Sequence, residues 1–161
     1  MKENNRGFSL IELLIVVAII LIIAAIAIPS LLRSRIAANQ ASAVGSLRTI
    51  NTVQVAYAST YNTGYAATLS ALGGAGGTIS AAGLIDSVLA GTSGTSSTKA
   101  GYTFTYAASA ADSSGHINGY TLNADPLTAQ TGTNHYYTDA TMVIRVNSTQ
   151  AAAATDSPIG G

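Results

Sequence analysis

The strongest chemical signal in the sequence is Glu12, a carboxylate near the start of an otherwise apolar run. From Phe8 to Ile28 the chain is interrupted only by Ser9 and Glu12. A charged side chain at the centre of a membrane-spanning helix costs about 2.5–3.5 kcal/mol, and near the edge the cost is smaller. A plain membrane anchor gains nothing from such a residue. Glu12 therefore requires a reason beyond anchoring.

The other polar residues do not form a pattern typical of an enzyme. The chain has no cysteine, which excludes disulfides, thiolate zinc sites and a cysteine nucleophile. It contains no G-x-S-x-G sequence and no phosphate-binding Walker loop. His116 and His135 lie too far apart in sequence for a short metal motif. The sequence therefore predicts a protein that is not an enzyme.

The composition also limits the class of partner. The chain has 161 residues, of which 9% are charged and 48% hydrophobic, and its formal net charge is zero. This excludes a basic nucleic-acid-binding surface and a highly charged disordered tail. The length is that of one modest domain with an appendage.

The apolar segment from Phe8 to Ile28 is long enough to cross a membrane. As a helix it would measure roughly 31 Å, against a hydrocarbon core of about 30 Å. The alternative is a cleavable signal peptide, for which Ala25-Ile26-Ala27 resembles a cleavage site. Two features argue against that alternative: the run exceeds the usual apolar length of a signal peptide, and Glu12 interrupts its start.

After Pro29 the helical pattern continues but becomes amphipathic. The positions that fall on one helical stripe are Ile36, Gln40, Ala43, Leu47, Ile50, Gln54, Tyr57 and Tyr61. Arg33, Arg35 and Asn51 are among the polar residues assigned to the remaining surface. The sequence predicts a helix from Phe8 to about Asn62, kinked at Pro29 because proline lacks the N–H and clashes with the preceding turn.

The second half of the chain has the composition of loops and short strands. Residues 72–77 and 91–98 are predicted loops, and Leu84 to Leu89 a short helix. The predicted strands are 101–107, 119–124, 135–139 and 141–146, and the tail after 150 is predicted to be loosely held. The resulting class is α+β: a long N-terminal helix packed on a small antiparallel sheet.

The N-terminal residues resemble a known family. The sequence Gly7-Phe8-Ser9-Leu10-Ile11-Glu12, followed by the apolar run and Pro29, is similar to the class III signal of type IV prepilins and type II secretion pseudopilins. The specific match covers about residues 6–36. It implies a cleaved leader (1–7), a transmembrane and filament-core helix (8–29), an amphipathic helix half (30–62) and a globular domain (63–161).

The resemblance also implies roles for individual residues. Gly7 and Phe8 flank the bond cut by prepilin peptidase, which in this family also N-methylates the new terminus, here Phe8. The new α-amine is largely cationic at neutral pH, since such amines titrate near ~7.7–8.0. The resemblance thus explains the carboxylate at Glu12, which would pair with the Phe8 amine of a neighbouring subunit. Such pairing relieves two charges that are each unfavourable alone in hydrocarbon.

The function implied by the resemblance is that of a structural subunit in a type IV pilus-like filament. The expected partners are further copies of the chain in a helical filament, prepilin peptidase and the inner-membrane assembly machinery. The subunit would wait in the bacterial inner membrane with its N-terminus cytoplasmic, then enter an extracellular pilus. A periplasmic type II secretion pseudopilus and a signal-anchored or secreted globular binding module are the alternatives.

Two observations qualify this prediction. Basic residues are more numerous after the apolar span (Arg33, Arg35 and Arg48) than before it (Lys2 and Arg6), which alone would place the domain in the cytoplasm. The family-like signal outweighs this statistical rule. Separately, Asp112, Asp125 and Asp139 could supply oxygens to Ca²⁺, as some pseudopilins bind calcium. Solvated turn carboxylates are the favoured interpretation, so no metal or cofactor is expected.

Overall fold

A long helix followed by a five-stranded antiparallel sheet makes up the structure, a computed structural model that describes residues 8–92 and 94–160. The helices are α1 (Leu10–Tyr61) and α2 (Ser87–Ala90), with a 3₁₀ turn at Ser70–Leu72. The strands are β1 (Ser96–Lys99), β2 (Tyr102–Ala108), β3 (Tyr120–Pro126), β4 (His135–Asp139) and β5 (Arg145–Asn147). They pair in the order β1-β2-β3-β4-β5, each antiparallel to the next. The predicted α+β class is confirmed. The predicted leader 1–7, including Gly7, lies outside the described residues.

The chain divides into two compact units, with the boundary between Arg35 and Ile36. Helix α1 contributes to both, since it runs from Leu10 to Tyr61 without a break. Asn62, directly after it, has a left-handed backbone with φ of 50°, which asparagine tolerates better than most residues at a helix end. The predicted end of the helix is therefore confirmed.

Pro29 lies inside α1, and helical structure continues on both sides of it. Because the proline nitrogen carries no hydrogen, the carbonyl of Ala25 has no helical donor at this point. The kink predicted at Pro29 stays a prediction, as does the division of the chain at residues 29 and 62.

The core of the second unit lies between α1 and one face of the sheet. The predicted stripe is confirmed at its centre, because Ala43, Leu47 and Ile50 are fully buried. Opposite them, alternate residues of β2 are buried: Tyr102, Phe104 and Tyr106. Thr103 and Thr105 on the other face are more exposed. The alternation predicted for this strand is thus correct.

Two polar residues of α1 are buried against the sheet. The Gln54 amide nitrogen donates to the Tyr106 hydroxyl at 2.8 Å, and its oxygen accepts from the backbone N–H of Ala66 at 2.9 Å. The Asn51 oxygen accepts from the Tyr120 hydroxyl at 2.9 Å. The assignment of Asn51 to the polar surface was wrong, because the residue is 5% exposed. Its hydrogen bonds to the sheet offset its desolvation.

Replacing Gln54 with Leu is expected to lower the free energy of unfolding by about 1–3 kcal/mol, since the buried N–H of Ala66 loses its acceptor. The full chain in detergent is unfolded with a chemical denaturant. Unfolding is monitored by the near-ultraviolet circular dichroism of the tyrosines. Gln40→Leu is the matched control on the same helix, because Gln40 bonds to Thr133 at an exposed site. The control should change stability by less than about 0.5 kcal/mol. Equal losses in both variants would contradict the role given to Gln54.

Two local predictions for the strands were wrong. The loop predicted at 91–98 is wrong at its end, because Ser96–Lys99 forms edge strand β1 paired with β2. The last strand begins at Arg145 rather than 141, because residues 139–142 make a turn in which the Met142 N–H donates to the Asp139 carbonyl. Met142 itself has a positive φ of 63°, which does not fit a strand.

The short helix and the tail also differ from expectation. Helix α2 begins at Ser87, later than the predicted Leu84, because the Asp86 carboxylate caps it by accepting from the Leu89 N–H. The tail is held rather than loose. The Ile159 N–H donates to the Ile144 carbonyl at 2.9 Å, and Ala152 is 4% exposed. These contacts join the end of the chain to the β5 side of the sheet.

Candidate assembly segment

The first part of α1 presents an uncovered apolar surface. Every large apolar side chain from Phe8 to Leu32 is exposed, with values from 39% at Leu32 to 80% at Leu10. By length and composition the helix is apolar enough to cross a membrane, a test that a signal sequence near the N-terminus also passes. A surface of this kind is stable only in lipid or against other apolar surfaces. We call Phe8 to Leu32 the assembly segment.

Glu12 lies in the first turn of the assembly segment and has a contact that the sequence analysis missed. Its carboxylate oxygen accepts from the backbone N–H of Ser9 at 2.9 Å. The helix begins at Leu10, so Ser9 is the N-cap residue and Glu12 occupies the third helical position. This is the back-bond of a capping box, and the spacing Ser-x-x-Glu is its sequence signal. Glu12 therefore satisfies a backbone donor of its own chain.

Glu12 also lies at the end of α1 that carries the positive pole of the helix dipole. The first turn of a helix carries N–H groups without helical partners, and their dipoles attract anions. Phe8 comes directly before the N-cap residue, so its nitrogen lies one residue from the N–H that Glu12 contacts. The atom that would become a terminal amine if the chain were cut after Gly7 is thus the backbone nitrogen next to the one that Glu12 contacts.

The three arginines that follow the assembly segment along α1 form no ion pairs within residues 8–92 and 94–160. Arg33, Arg35 and Arg48 are all exposed, whereas the Lys99 ammonium pairs with Asp86 and a His135 ring nitrogen contacts the Asp125 carboxylate. Long basic side chains at the end of an apolar helix can extend toward lipid headgroups while their stems cover apolar surface. Arg33 and Arg35, which directly follow the segment, have a placement that suits one boundary of a membrane span.

Asp112, the first of the three aspartates considered as Ca²⁺ ligands, accepts hydrogen bonds from groups of its own turn. The Asp112 carboxylate accepts from the side-chain amide of Asn118 at 2.8 Å and from the backbone N–H groups of His116 and Ser114. These hydrogen bonds, that from Asn118 first, hold the pKa of Asp112 below its usual range. Asp112 is thus a turn carboxylate of the kind that the sequence favoured.

The other two aspartates are bonded elsewhere, so the three are not brought together. Asp125 contacts His135 at 2.6 Å. Asp139 accepts from the Thr141 N–H at 2.8 Å. Within the described part of the chain, no group of three or more His, Cys, Asp or Glu side chains is arranged to hold a metal ion.

A comparison with known protein families assigns the N-terminal segment to a class of proteins. Residues 2–28 match the family described as the prokaryotic N-terminal methylation motif. This match includes Gly7, Phe8 and Glu12 and extends to Ile28. The chain therefore carries the N-terminal motif of methylated prokaryotic proteins.

Two curated relatives make the similarity more specific. Over 56 residues, the chain is 49% identical to the type IV major pilin protein PilA of Myxococcus xanthus. The aligned region is 35% of this chain and 26% of the relative. The chain is 62% identical over 37 residues to the type IV wide pilus major component PilA4 of Thermus thermophilus, covering 23% of this chain and 28% of the relative.

These matches define how far the similarity reaches. The chain spans about a quarter of the length of the two curated relatives. Both are pilus components by name, and neither name describes an enzyme. No solved structure matches the chain at a significant level. The predicted resemblance to type IV prepilins is confirmed for the N-terminal part of the chain.

Proposed function

We propose that this protein is a structural subunit of a type IV pilus-like filament, held in the filament by its N-terminal helix. The observation that carries the proposal is the assembly segment, an exposed apolar helix with a single carboxylate in its first turn. The methylation motif and the similarity to type IV major pilins support it. The chain acts by assembling with copies of itself rather than by catalysis.

The apolar surface of the assembly segment keeps the helix out of water, both in the membrane and in the filament. Each Å² of apolar surface removed from water stabilises an assembly by about 25 cal/mol. Lipid covers the segment while the subunit waits in the bacterial inner membrane, and neighbouring helices cover it in the filament. Because lipid is as apolar as the helix, the step from membrane to filament needs packing and polar contacts for specificity. Glu12 is the one charged side chain of the segment.

Processing between Gly7 and Phe8 by prepilin peptidase is the first step of the proposed pathway. Removing residues 1–7 takes away two of the seven basic and one of the seven acidic side chains, leaving five and six. The mature subunit is thus nearly neutral, so copies can crowd without strong repulsion. The removal also leaves a cationic amine on Phe8, the partner proposed for Glu12 of a neighbouring subunit.

The mature chain is expected to begin at an N-methylated Phe8. Intact-mass and terminal-peptide analysis of protein from cells should show a chain that lacks residues 1–7 and carries one added methyl group. Cells without prepilin peptidase are the control and should retain the leader. A chain that starts at Ile28, as a cleaved signal peptide would leave, contradicts the pilin hypothesis.

A type II secretion pseudopilin would be processed in the same way, so a different experiment separates it from a pilin. Fibres sheared from the cell surface should contain this chain, identified by mass spectrometry. The names of the two relatives favour this outcome. A processed chain that stays in the periplasm, with no surface fibres, would favour the pseudopilin instead.

A further inference from the structure

The second unit contains an open cavity of about 470 Å³ near the C-terminal end of α1. Tyr57 and Tyr65 form aromatic walls, and Ile79 lies at the rim with 53% exposure. The Tyr57 ring is fixed, because its hydroxyl donates to the Ile79 carbonyl at 2.7 Å. Tyr65 packs edge-on against Tyr120 with ring centroids 4.9 Å apart. The walls are thus rigid and apolar.

The polar groups of this cavity are hydroxyls. Thr68 and Ser70 bond to each other at 3.1 Å, and the Thr68 oxygen also accepts from the Ala71 N–H. Each hydroxyl has one hydrogen to donate, and one of the two is the acceptor in their mutual bond. One O–H therefore stays available for a ligand, since the described residues give this pair no other side-chain bond. Thr63 and Ser80 add further hydroxyls to the lining.

None of the described residues lining the cavity is charged. An anionic or cationic ligand would lose water here without gaining a partner charge, which is unfavourable. A ligand with apolar C–H faces and hydroxyl groups matches the walls and the polar groups together. The volume falls in the range of small-ligand sites, roughly 300–1,000 Å³.

We propose that this cavity binds a neutral saccharide of about two sugar units. The C–H face of one sugar ring would lie against Tyr65, the less buried of the two tyrosines, and its hydroxyls would bond to Thr68 and Ser70. The cavity lies wholly in the second unit and uses no residue of the assembly segment. The binding proposed here therefore rests on none of the residues that carry the proposed filament function.

The test is saturation-transfer NMR on the full chain, solubilised in dodecylphosphocholine so that no sugar-based detergent competes. The probes are cellobiose, lactose and N,N′-diacetylchitobiose, with a uronic-acid disaccharide as the charged comparison. We expect transfer to at least one neutral disaccharide and weaker transfer to the charged one. Ile79→Asp should weaken binding by at least about tenfold, because a hydrated carboxylate replaces apolar surface at the rim that would contact the C–H groups of the ligand.

Leu127→Asp is the matched control, since Leu127 is also 53% exposed and does not line this cavity. It should bind as the parent does. Ser70→Ala is the second variant, which breaks the hydroxyl pair without adding charge or bulk and should also weaken binding. Absence of transfer to all three neutral disaccharides would overturn the proposal. So would parental binding in both Ile79→Asp and Ser70→Ala, or equal losses in the Leu127→Asp control.

Discussion

Cells that express only the Glu12→Val variant are expected to insert the protein into the membrane normally and to make no filaments. Insertion should be intact or slightly improved, because an apolar residue replaces a charged one. Processing should continue, since the cleaved bond precedes Phe8. Assembly should fail, because the cationic amine of Phe8 would enter a low-dielectric layer without its counter-charge.

The structure adds an alternative explanation that the control must exclude. Glu12 accepts a hydrogen bond from the Ser9 N–H, so the valine variant loses a helix cap as well as a charge. Glu12→Gln separates the two effects, because glutamine also serves in a capping box but carries no charge. If charge pairing drives assembly, the glutamine variant should also fail. Normal filaments from Glu12→Gln alone would assign Glu12 a capping role.

The measurement combines three readings from the same cells: membrane fractionation, terminal-peptide analysis, and the yield of sheared fibres. Coexpression with the parent chain is expected to reduce fibre yield in proportion to the mutant fraction, because each defective subunit interrupts the array. A parental yield of fibres that contain Glu12→Val, confirmed by mass spectrometry, would remove the pairing role proposed for Glu12.

The parts of the fold with a strong local pattern could be predicted from sequence. The helical stripe through Leu47 and Ile50 and the alternation of Tyr102, Phe104 and Tyr106 both follow from periodic burial of one face. Both are buried as predicted. The end of α1 near Asn62 also follows, since a left-handed residue closes the helix.

The parts that depend on distant partners could not be predicted. Strand β1 is rich in serine and threonine and buries only Ser97, so its strand character comes from pairing with β2. The tail looks like a free end by composition, yet Ile159 bonds to Ile144. Asn51 is polar by type, and only its contact with Tyr120 shows why it is buried. The periodicity of a sequence does not predict such non-local hydrogen bonds.

The assembly segment presents the opposite case, because its family motif could be predicted from sequence while its capping bond was missed. The spacing of Gly7, Phe8 and Glu12 was enough to indicate the methylation motif that the comparison confirmed. The capping bond between Glu12 and Ser9 has a known sequence signal, but the membrane context drew attention to the charge instead. One residue therefore has both a local structural contact and a proposed intermolecular one.

A fragment that begins at Ser30 is expected to be a folded monomer, because it lacks the apolar span and retains the compact second unit, Ile36–Gly161. Within this fragment Leu47→Asp should prevent folding. Leu47 is fully buried against the core, so the substitution removes about 1.5–3 kcal/mol of apolar burial. It also places a charge in the core without a partner, which costs several kcal/mol more. A domain of this size is typically stable by only about 5–15 kcal/mol.

The matched control is Val55→Asp, the same replacement on the same helix at a site that is 46% exposed. An aspartate there keeps its water, so stability should change by less than about 0.5 kcal/mol. Thermal unfolding followed by circular dichroism gives the melting temperature, and size-exclusion chromatography gives the oligomeric state. An unchanged melting temperature in Leu47→Asp would show that α1 does not cover the sheet through this face. Equal destabilisation by Val55→Asp would show that the helix surface, rather than the buried stripe, determines the stability of the domain.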